Sequence, residues 1–426
     1  MLLNFKVENY RSFGEEQSIS MIAGSVRNHT MHTIVAGDRK ALCFAAVFGA
    51  NASGKSNLVG AMYDSRSFIL GLYPFNPMEY NRRSKDNVSK PTSFEYTISI
   101  ADSIFVYGFG IVLSERRITD EWLLRVNGSR TTEIFSRTEE GVELFDAPPS
   151  DKSVAKVYAD QAMNVGNLLI LRSLAMHPFS DDSVFGSARK VFDWFDKSLR
   201  IVSPTMIMRD NDAESRDEVA ARVLPAFGTG VTGLSFVNEN LESVIPPEVI
   251  DRITRDVSKG GSGRIIGTNG VIRVANDGEK IVAERLKTLH DDVQFDFVEE
   301  SDGTKRLYDL VPILSRNEPK GVTYVVDEID RNMHPQLTRK FVEEFLGLCH
   351  EMRRQLIVTT HESRLMDLDL LRRDEIWFVE KVRGSDSILF SLEDFNERID
   401  RKVDKNYLEG RYGAVPDFRA VYPDLR

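Results

Sequence analysis

Three runs of apolar residues frame this chain: Leu42 to Phe48 near its start, and Thr323 to Val326 and Leu356 to Val358 in its last quarter. Unbroken runs of this length, rich in β-branched and aromatic residues, predict strands buried on both faces of a parallel sheet. A helical spacing follows the first run from Asn57 to about Leu72, with Leu58, Met62 and Ile69 as core contacts. Between Thr92 and Phe145 the pattern changes to alternation. Ser93–Ile100, Ser103–Val112, Thr131–Ser136 and Val142–Phe145 read as antiparallel strands broken by turns such as Asn127-Gly128, and Ala147-Pro148-Pro149-Ser150 closes the stretch.

Residues 151 to 200 are helical in character, with an apolar centre at Leu168 to Leu174, and Val202 to Ser215 turns polar and irregular. Beyond it the pattern predicts a strand over Thr229–Val237, a flexible Lys259–Gly263, and a hairpin turning at Asn269-Gly270. A helix near Glu279–His290 and a strand over Val293–Val298 follow. Leu307, Leu310, Val311 and Leu314 mark one more helix. No heptad pattern is sustained, so no long coiled coil is expected. No apolar stretch is long enough for a membrane-spanning helix, and the start of the chain passes directly into strand-like sequence.

The loop after the first apolar run carries the strongest chemistry. Gly49-Ala50-Asn51-Ala52-Ser53-Gly54-Lys55-Ser56 fits GxxxxGK[ST] and lies between a predicted strand and a helix beginning near Asn57. Glycines at both ends let the backbone curl so that its N–H groups point at phosphate oxygens, and the helix presents its positive end to the same anion. Lys55 is expected at the β- and γ-phosphates of ATP, and the Ser56 hydroxyl on Mg²⁺. Gly49, Asn51, Ala52, Ser53, Gly54 and Asn57 complete the expected cradle.

Three further elements follow in the order a nucleotide hydrolase needs. Asp327 and Glu328 come at the C-terminal end of the second apolar run, where Asp327 suits a further Mg²⁺ contact and Glu328 the base that orients and deprotonates water. Upstream, Ser301-Asp-Gly303-Thr-Lys-Arg-Leu307 has the SxGxxxL form of an ABC signature loop. There a serine hydroxyl, a close-approach glycine and a helix N-terminus make a second anion site facing ATP held by another copy. His361 follows the third run and is placed to contact the γ-phosphate and the attacking water.

With these motifs the chain resembles the ABC-type ATPases of the SMC, RecF and OLD group, and in particular the short AAA_15/AAA_21 ATPases of bacterial phage-defence and abortive-infection loci. Phe5-Lys-Val-Glu-Asn-Tyr10-Arg11-Ser12-Phe13 is similar to the opening of that group, and the resemblance implies that Arg11 approaches the nucleotide. Arg372–Lys381 and Tyr407–Pro416 are also similar to stretches of the defence ATPases, with no role derivable from their chemistry. Two departures stand out. His334 falls where an aspartate follows the catalytic carboxylate in transporter-type and SMC-type members, and no Q-loop glutamine follows the phosphate loop.

The expected fold is therefore α/β: an ABC-type P-loop ATPase head with a β-rich antiparallel lobe and an inserted mixed helical lobe. Residues 1–75 would form the N-terminal part of the ATPase, 76–150 the β-rich lobe, 151–290 the insertion, and 291–426 the C-terminal part with the signature, Asp327-Glu328 and His361. No TOPRIM nuclease is expected after it, and Asp367-Leu-Asp369 reads as helix-surface acids.

Composition narrows the partners. A length of 426 residues with 42% hydrophobic content supports a large core. Against 55 basic residues stand 65 acidic ones, a net charge of −10, which opposes a body coated for nucleic-acid backbone; it leaves a local DNA groove open, with no motif supporting one. Cys43 and Cys349 sit in apolar stretches without metal spacing, as small core residues of a reducing compartment. A cytoplasmic location and head-to-tail dimers gripping ATP and Mg²⁺ are expected. The resemblance implies a regulator of a separately encoded nuclease or toxin effector; a RecF-like DNA-repair ATPase and an ATP-bound scaffold with negligible turnover stand as alternatives.

Overall fold

The structure, a computed structural model, describes residues 1–128, 130–145, 147–180, 183–203, 213–240, 262–267, 270–276, 281–382, 384–395 and 402–416. Contacts divide the chain into two compact units. The first comprises Met1–Pro204, Lys320–Ile329 and Cys349–Arg426, and the second Thr205–Pro319 and Asp330–Leu348.

Among the described residues of the first unit are two large sheets and a two-stranded one, Thr33–Ala36 with Arg39–Leu42. One large sheet has six strands in the order Leu199–Val202, Thr323–Val326, Gln355–Thr359, Phe44–Phe48, Ile376–Glu380, Ile388–Ser391. Its first five strands run parallel and the last antiparallel. The three apolar runs form its centre and are buried at every position, as a sheet covered on both faces requires. The other sheet is antiparallel, with strands ordered Val142–Leu144, Arg130–Arg137, Arg117–Asn127, Ser103–Val112, Thr92–Ile100, Leu2–Glu8, Gln17–Ser20. The alternating region thus shares a sheet with the opening strand, and Phe5, Val7, Phe94 and Tyr96 of this sheet join Leu58 and Met62 of the helix Lys55–Leu70 in one hydrophobic core.

Gln355 fastens the two sheets together. Its side-chain oxygen accepts from the Leu2 N–H at 2.6 Å and from the Thr323 hydroxyl at 2.9 Å, while its amide nitrogen donates to the Leu2 and Leu42 carbonyls at 2.8 and 2.9 Å. The side chain is fully buried with both ends of its amide doubly satisfied, the condition under which a buried polar group stabilises a unique packing. Cys43 and Cys349, 0% exposed and free thiols, both lie against the Met31 carbonyl, so residues far apart in sequence meet in the core.

The second unit carries a helix Ala213–Ala226, a five-stranded antiparallel sheet, and the helix Asp302–Leu314. Gly233–Glu239, Gly270–Asn276 and Val293–Asp296 all pair with Ile281–His290, and Ser262–Gly267 adds to the edge. Here the helix expected over Glu279–His290 is corrected to a strand, Ile281–His290. Its apolar spacing resembles a helix, but its charges pair across strands, Arg285 with Glu239 at 2.7 Å and Glu284 with Arg273. Cross-strand pairing outweighs the local pattern. The strand expected over Thr229–Val237 forms instead over Gly233–Glu239. Asn269 and residues 259–261 of the expected flexible segment lie outside the described residues. The edge strand Leu199–Val202, which begins at the end of the stretch read as helical, and Arg117–Asn127 were not expected. Asp367 and Asp369 sit on a turn, where the Asp369 N–H donates to the Asp367 carboxylate, and not on a helix surface. Among the described residues helices reach 18 residues, over Pro335–Met352, and none is long and apolar enough to cross a membrane.

Glu121, 0% exposed on the strand Arg117–Asn127, holds the start of the helix Ile170–Ala175: its carboxylate accepts from the Ile170 and Leu171 N–H groups at 2.7 and 2.9 Å and from the Tyr107 hydroxyl at 3.0 Å. Burial pushes its carboxyl from 4.5 up to about 7, against the opposing pull of those N–H groups and of Arg137. A raised folded-state value means the folded protein binds this proton more tightly than the unfolded chain, so the contribution is complete below about 4.5 and is lost as pH rises through about 7. The stability difference between wild type and Glu121→Gln, read as thermal midpoints, should shift against wild type across that range; a difference independent of pH contradicts the assignment.

Candidate functional site

The parallel strands of the first unit end at a common edge, and their register fixes which residues meet there. Val326 lies opposite Val358, and Thr359 opposite Val47, so Asp327, Thr360 and Gly49 begin their loops at neighbouring levels. The C-terminal edge of a parallel sheet is where α/β folds bind ligands, because the loops that leave it are free to converge.

At that edge the residues from Gly49 turn sharply into the helix Lys55–Leu70. Ala52 and Gly54 take the left-handed region, with φ of 62° and 120°. A Cβ on Gly54 would fall 2.6 Å from the Ser387 hydroxyl and 2.8 Å from that of Ser12, so only glycine fits. Gly54 caps the helix without a side-chain acceptor, and its carbonyl accepts from the Asn57 and Leu58 N–H groups at 3.0 and 3.1 Å. Lys55 is buried, and its ammonium donates to the Gly49 and Ala50 carbonyls at 2.8 and 3.1 Å. Asn51, Ala52 and Ser56 are exposed, while Ser53 is buried.

One hydroxyl organises the carboxylates. Thr359 donates to the Asp327 carboxylate at 2.5 Å and accepts from the Glu328 N–H at 2.8 Å. Asp327 is 5% exposed, whereas Glu328 is half-buried and sits at φ 49°, a conformation that costs on the order of 1–3 kcal/mol and persists only where neighbours impose it. Those neighbours include the Ile329 N–H, which donates to the Thr359 carbonyl. His361 follows two residues later on the same edge and is exposed.

Arg11 is anchored by two acids. Its guanidinium pairs with Asp64 at 3.1 Å and Glu79 at 2.7 Å, beside the helix at Gly60, and Tyr10 donates to Asp64 at 2.5 Å. Burial raises the Asp64 carboxyl to about 6, with Tyr10 and Arg11 pulling it down and Glu79 pushing it up. The neighbouring Ser12 does reach the loop: its hydroxyl accepts from Asn57 at 2.7 Å, and its carbonyl accepts from the Ser387 N–H at 2.8 Å. Ser387 in turn donates to the Ser53 carbonyl. Thr359, Ser12 and Ser387 are the residues that sequence reasoning missed. Only the Thr-Thr before His361 gave a local hint.

In the second unit, Ser301 caps the helix Asp302–Leu314, its hydroxyl accepting from the Thr304 N–H at 3.1 Å and lying 2.9 Å from the Thr304 hydroxyl. Ser301 is exposed. A Cβ on Gly303 would lie 2.7 Å from the Asn332 carbonyl oxygen, so this glycine lets the loop after Asp330 touch the helix start. His334 closes that loop, its carbonyl accepting from the Leu337 and Thr338 N–H groups at the start of the helix Pro335–Met352.

The donor set suits a magnesium triphosphate. A glycine loop with a buried lysine offers N–H groups and one cation to the phosphates, and the Ser56 hydroxyl and Asp327 carboxylate are hard oxygen ligands. Among the described residues no cluster of three or more His, Cys, Asp and Glu could hold a metal by itself.

Parallel sheet, glycine loop, buried lysine and paired carboxylates together define a P-loop NTPase. The chain belongs to the AAA_21 family, "AAA domain, putative AbiEii toxin, Type IV TA system", whose profile matches residues 44–367. Among solved structures it is similar to an SMC head bound to the C-terminal winged-helix domain of ScpA, at 14% identity and a TM-score of 0.45 over 92% of this chain and 97% of that one. The SMC head domain from Thermotoga maritima is similar at 12% identity and a TM-score of 0.33, over 92% and 98%. No curated protein matches.

Removing the Thr359 hydroxyl leaves the buried Asp327 carboxylate without that donor and the Glu328 N–H without its acceptor. Thr359→Val should lower stability by about 1–3 kcal/mol in urea unfolding, and Thr359→Ser should restore most of it; a valine variant as stable as wild type contradicts this reading.

Proposed function

We propose that this protein binds and hydrolyses ATP in head-to-tail pairs, and that it is the sensing or regulatory subunit of an anti-phage defence system that controls a separately encoded nuclease or toxin. The observation that carries the ATPase reading is the shared sheet edge, where the glycine loop with Lys55, the Asp327-Glu328 pair and His361 leave three adjacent parallel strands.

Lys55 leaves the Gly49 and Ala50 carbonyls for the β- and γ-phosphates, an exchange of neutral acceptors for charged ones that strengthens its hydrogen bonds. Loop N–H groups from Asn51 to Ser56, with Asn57 bracing the loop from the helix, hold the phosphates. Ser56 and Asp327 would hold Mg²⁺, which when bound would neutralise phosphate charge that grows in the transition state. Glu328 orients the attacking water and takes its proton, and His361 stabilises the γ-phosphate. Thr359 supports both carboxylates at once: its hydroxyl holds Asp327 by the side chain and Glu328 by the main chain.

Ser301 and Gly303 of a second copy complete the pocket. The Ser301 hydroxyl is already turned onto its own helix start and exposed, a geometry suited to an anion arriving from outside. Since the γ-phosphate is shared, hydrolysis removes contacts on both sides and separates the pair, so ATP occupancy becomes a conformational signal. Arg11, anchored by Asp64 and Glu79, is the further cation that the family resemblance brings toward the nucleotide. The family description, which names a putative toxin of a toxin–antitoxin system, points to a partner protein. A cytoplasmic location follows from the need for ATP.

Glu328→Gln keeps the shape and removes the base. It should lower steady-state phosphate release by about 10²- to 10⁴-fold while preserving ATP-dependent association measured by light scattering. Undiminished turnover rejects Glu328 as the base, and a variant that stays monomeric with ATP rejects the shared pocket.

A further inference from the structure

The segment Tyr407–Pro416, left without a role by its residue chemistry, is folded against the strand that flanks the phosphate-loop strand. The Tyr407 ring stacks on Phe378 with centroids 5.6 Å apart and planes at 23°, and lies 6.4 Å from Phe48, the last strand residue before Gly49. Tyr412 stacks on Phe378 as well, at 5.8 Å. The Tyr407 hydroxyl donates to the Ala414 carbonyl at 3.0 Å, and the Ala414 N–H donates to Glu380 at 3.0 Å. Gly413, at φ 69°, is where a Cβ would fall 2.7 Å from the same carboxylate, so the loop closes down tightly onto the strand end.

The helix Val403–Leu408 that carries Tyr407 packs on the turn Ser363–Leu365, which directly follows His361 and Glu362. That turn is itself tied back, with the Glu362 N–H donating to Thr360 at 3.0 Å and the Arg364 N–H to Glu362 at 3.1 Å. On one side, then, Tyr407 rests on aromatic rings rooted in the two strands beneath the phosphate loop. On the other, its helix supports the His361 turn. Stacked rings supply a stiff base, since each has only two side-chain torsions and a large contact area.

We infer that Tyr407 is a positioning residue that holds the His361 turn at a fixed place relative to the phosphate loop. This rests on the ATPase reading above. Because the ring acts on the histidine turn and not on the glycine loop's own N–H groups, its loss affects the chemical step more than nucleotide binding.

The test compares Tyr407→Leu, which fills the core without a stacking ring, and Tyr407→Phe, which keeps the ring, in wild-type and His361→Ala backgrounds. ATP turnover and affinity for a fluorescent ADP analogue are measured on the same preparations. Tyr407→Leu should lower kcat about ten- to hundredfold with KM and ADP affinity within about twofold of wild type, Tyr407→Phe should recover most of the loss, and Tyr407→Leu should cause no further loss once His361 is alanine. Equal losses in both backgrounds, or a loss confined to KM, overturn the inference. Should Tyr407→Leu fail to bind ADP or to fold, Phe378→Leu, which removes the ring on which Tyr407 stacks, carries the same comparison. Failure of wild type to hydrolyse ATP would instead remove the parent reading, whereas active wild type with indifferent Tyr407 variants removes this one alone.

Discussion

The strand Gln355–Thr359 is the constraint on which the rest of the first unit depends, because its two ends serve different purposes and cannot be moved independently. At one end Gln355 bonds the opening strand of the antiparallel sheet and the start of the strand Thr323–Val326. At the other end Thr359 holds Asp327 and Glu328. Between them lie residues buried on both faces, paired on one side to the carboxylate strand and on the other to the phosphate-loop strand. A shift of one residue would turn each side chain to the opposite face and break both ends together. The relative position of lysine loop and carboxylates is therefore set by core packing and not by the loops themselves.

A second layer of support comes from segments at the two ends of the described chain. The turn at Tyr10–Phe13 and the loop ending at Ser387 meet over Gly54, where two serine hydroxyls occupy the space a Cβ would need. Arg11, in the same turn, is committed to Asp64, on the helix that the phosphate loop starts, and to Glu79 beyond that helix. Anchoring of this kind pre-orients a glycine-rich loop, which otherwise loses more conformational freedom on binding than any other sequence.

Much of the site was legible in the sequence because its signals are local. A glycine loop between strand and helix, acids at a strand end and a capping serine before a helix each need only a few neighbouring residues to be recognised. The three buried runs were legible for the same reason. Long-range partners were not. Nothing near Thr359 reveals that it will meet Asp327, and nothing near Ser387 reveals the phosphate loop, because those meetings are made by sheet order. Ile281–His290 shows the opposite failure: a local apolar spacing that suggested a helix yielded to the ladder of charges on its neighbours. The acidic partners of Arg11, Asp64 and Glu79, are distant in sequence and were equally out of reach of local reading.

The central claim is that one copy supplies Lys55 and another Ser301 to the same triphosphate, and mixing two inactive variants tests it most directly. Lys55→Ala and Ser301→Arg each disable both pockets of their own pair, but a mixed pair retains one pocket with native lysine and native serine. The account predicts that neither variant alone releases phosphate from ATP and that an equimolar mixture regains activity. A mixture as inactive as its components, or a Ser301→Arg variant that hydrolyses ATP like wild type by itself, would contradict it.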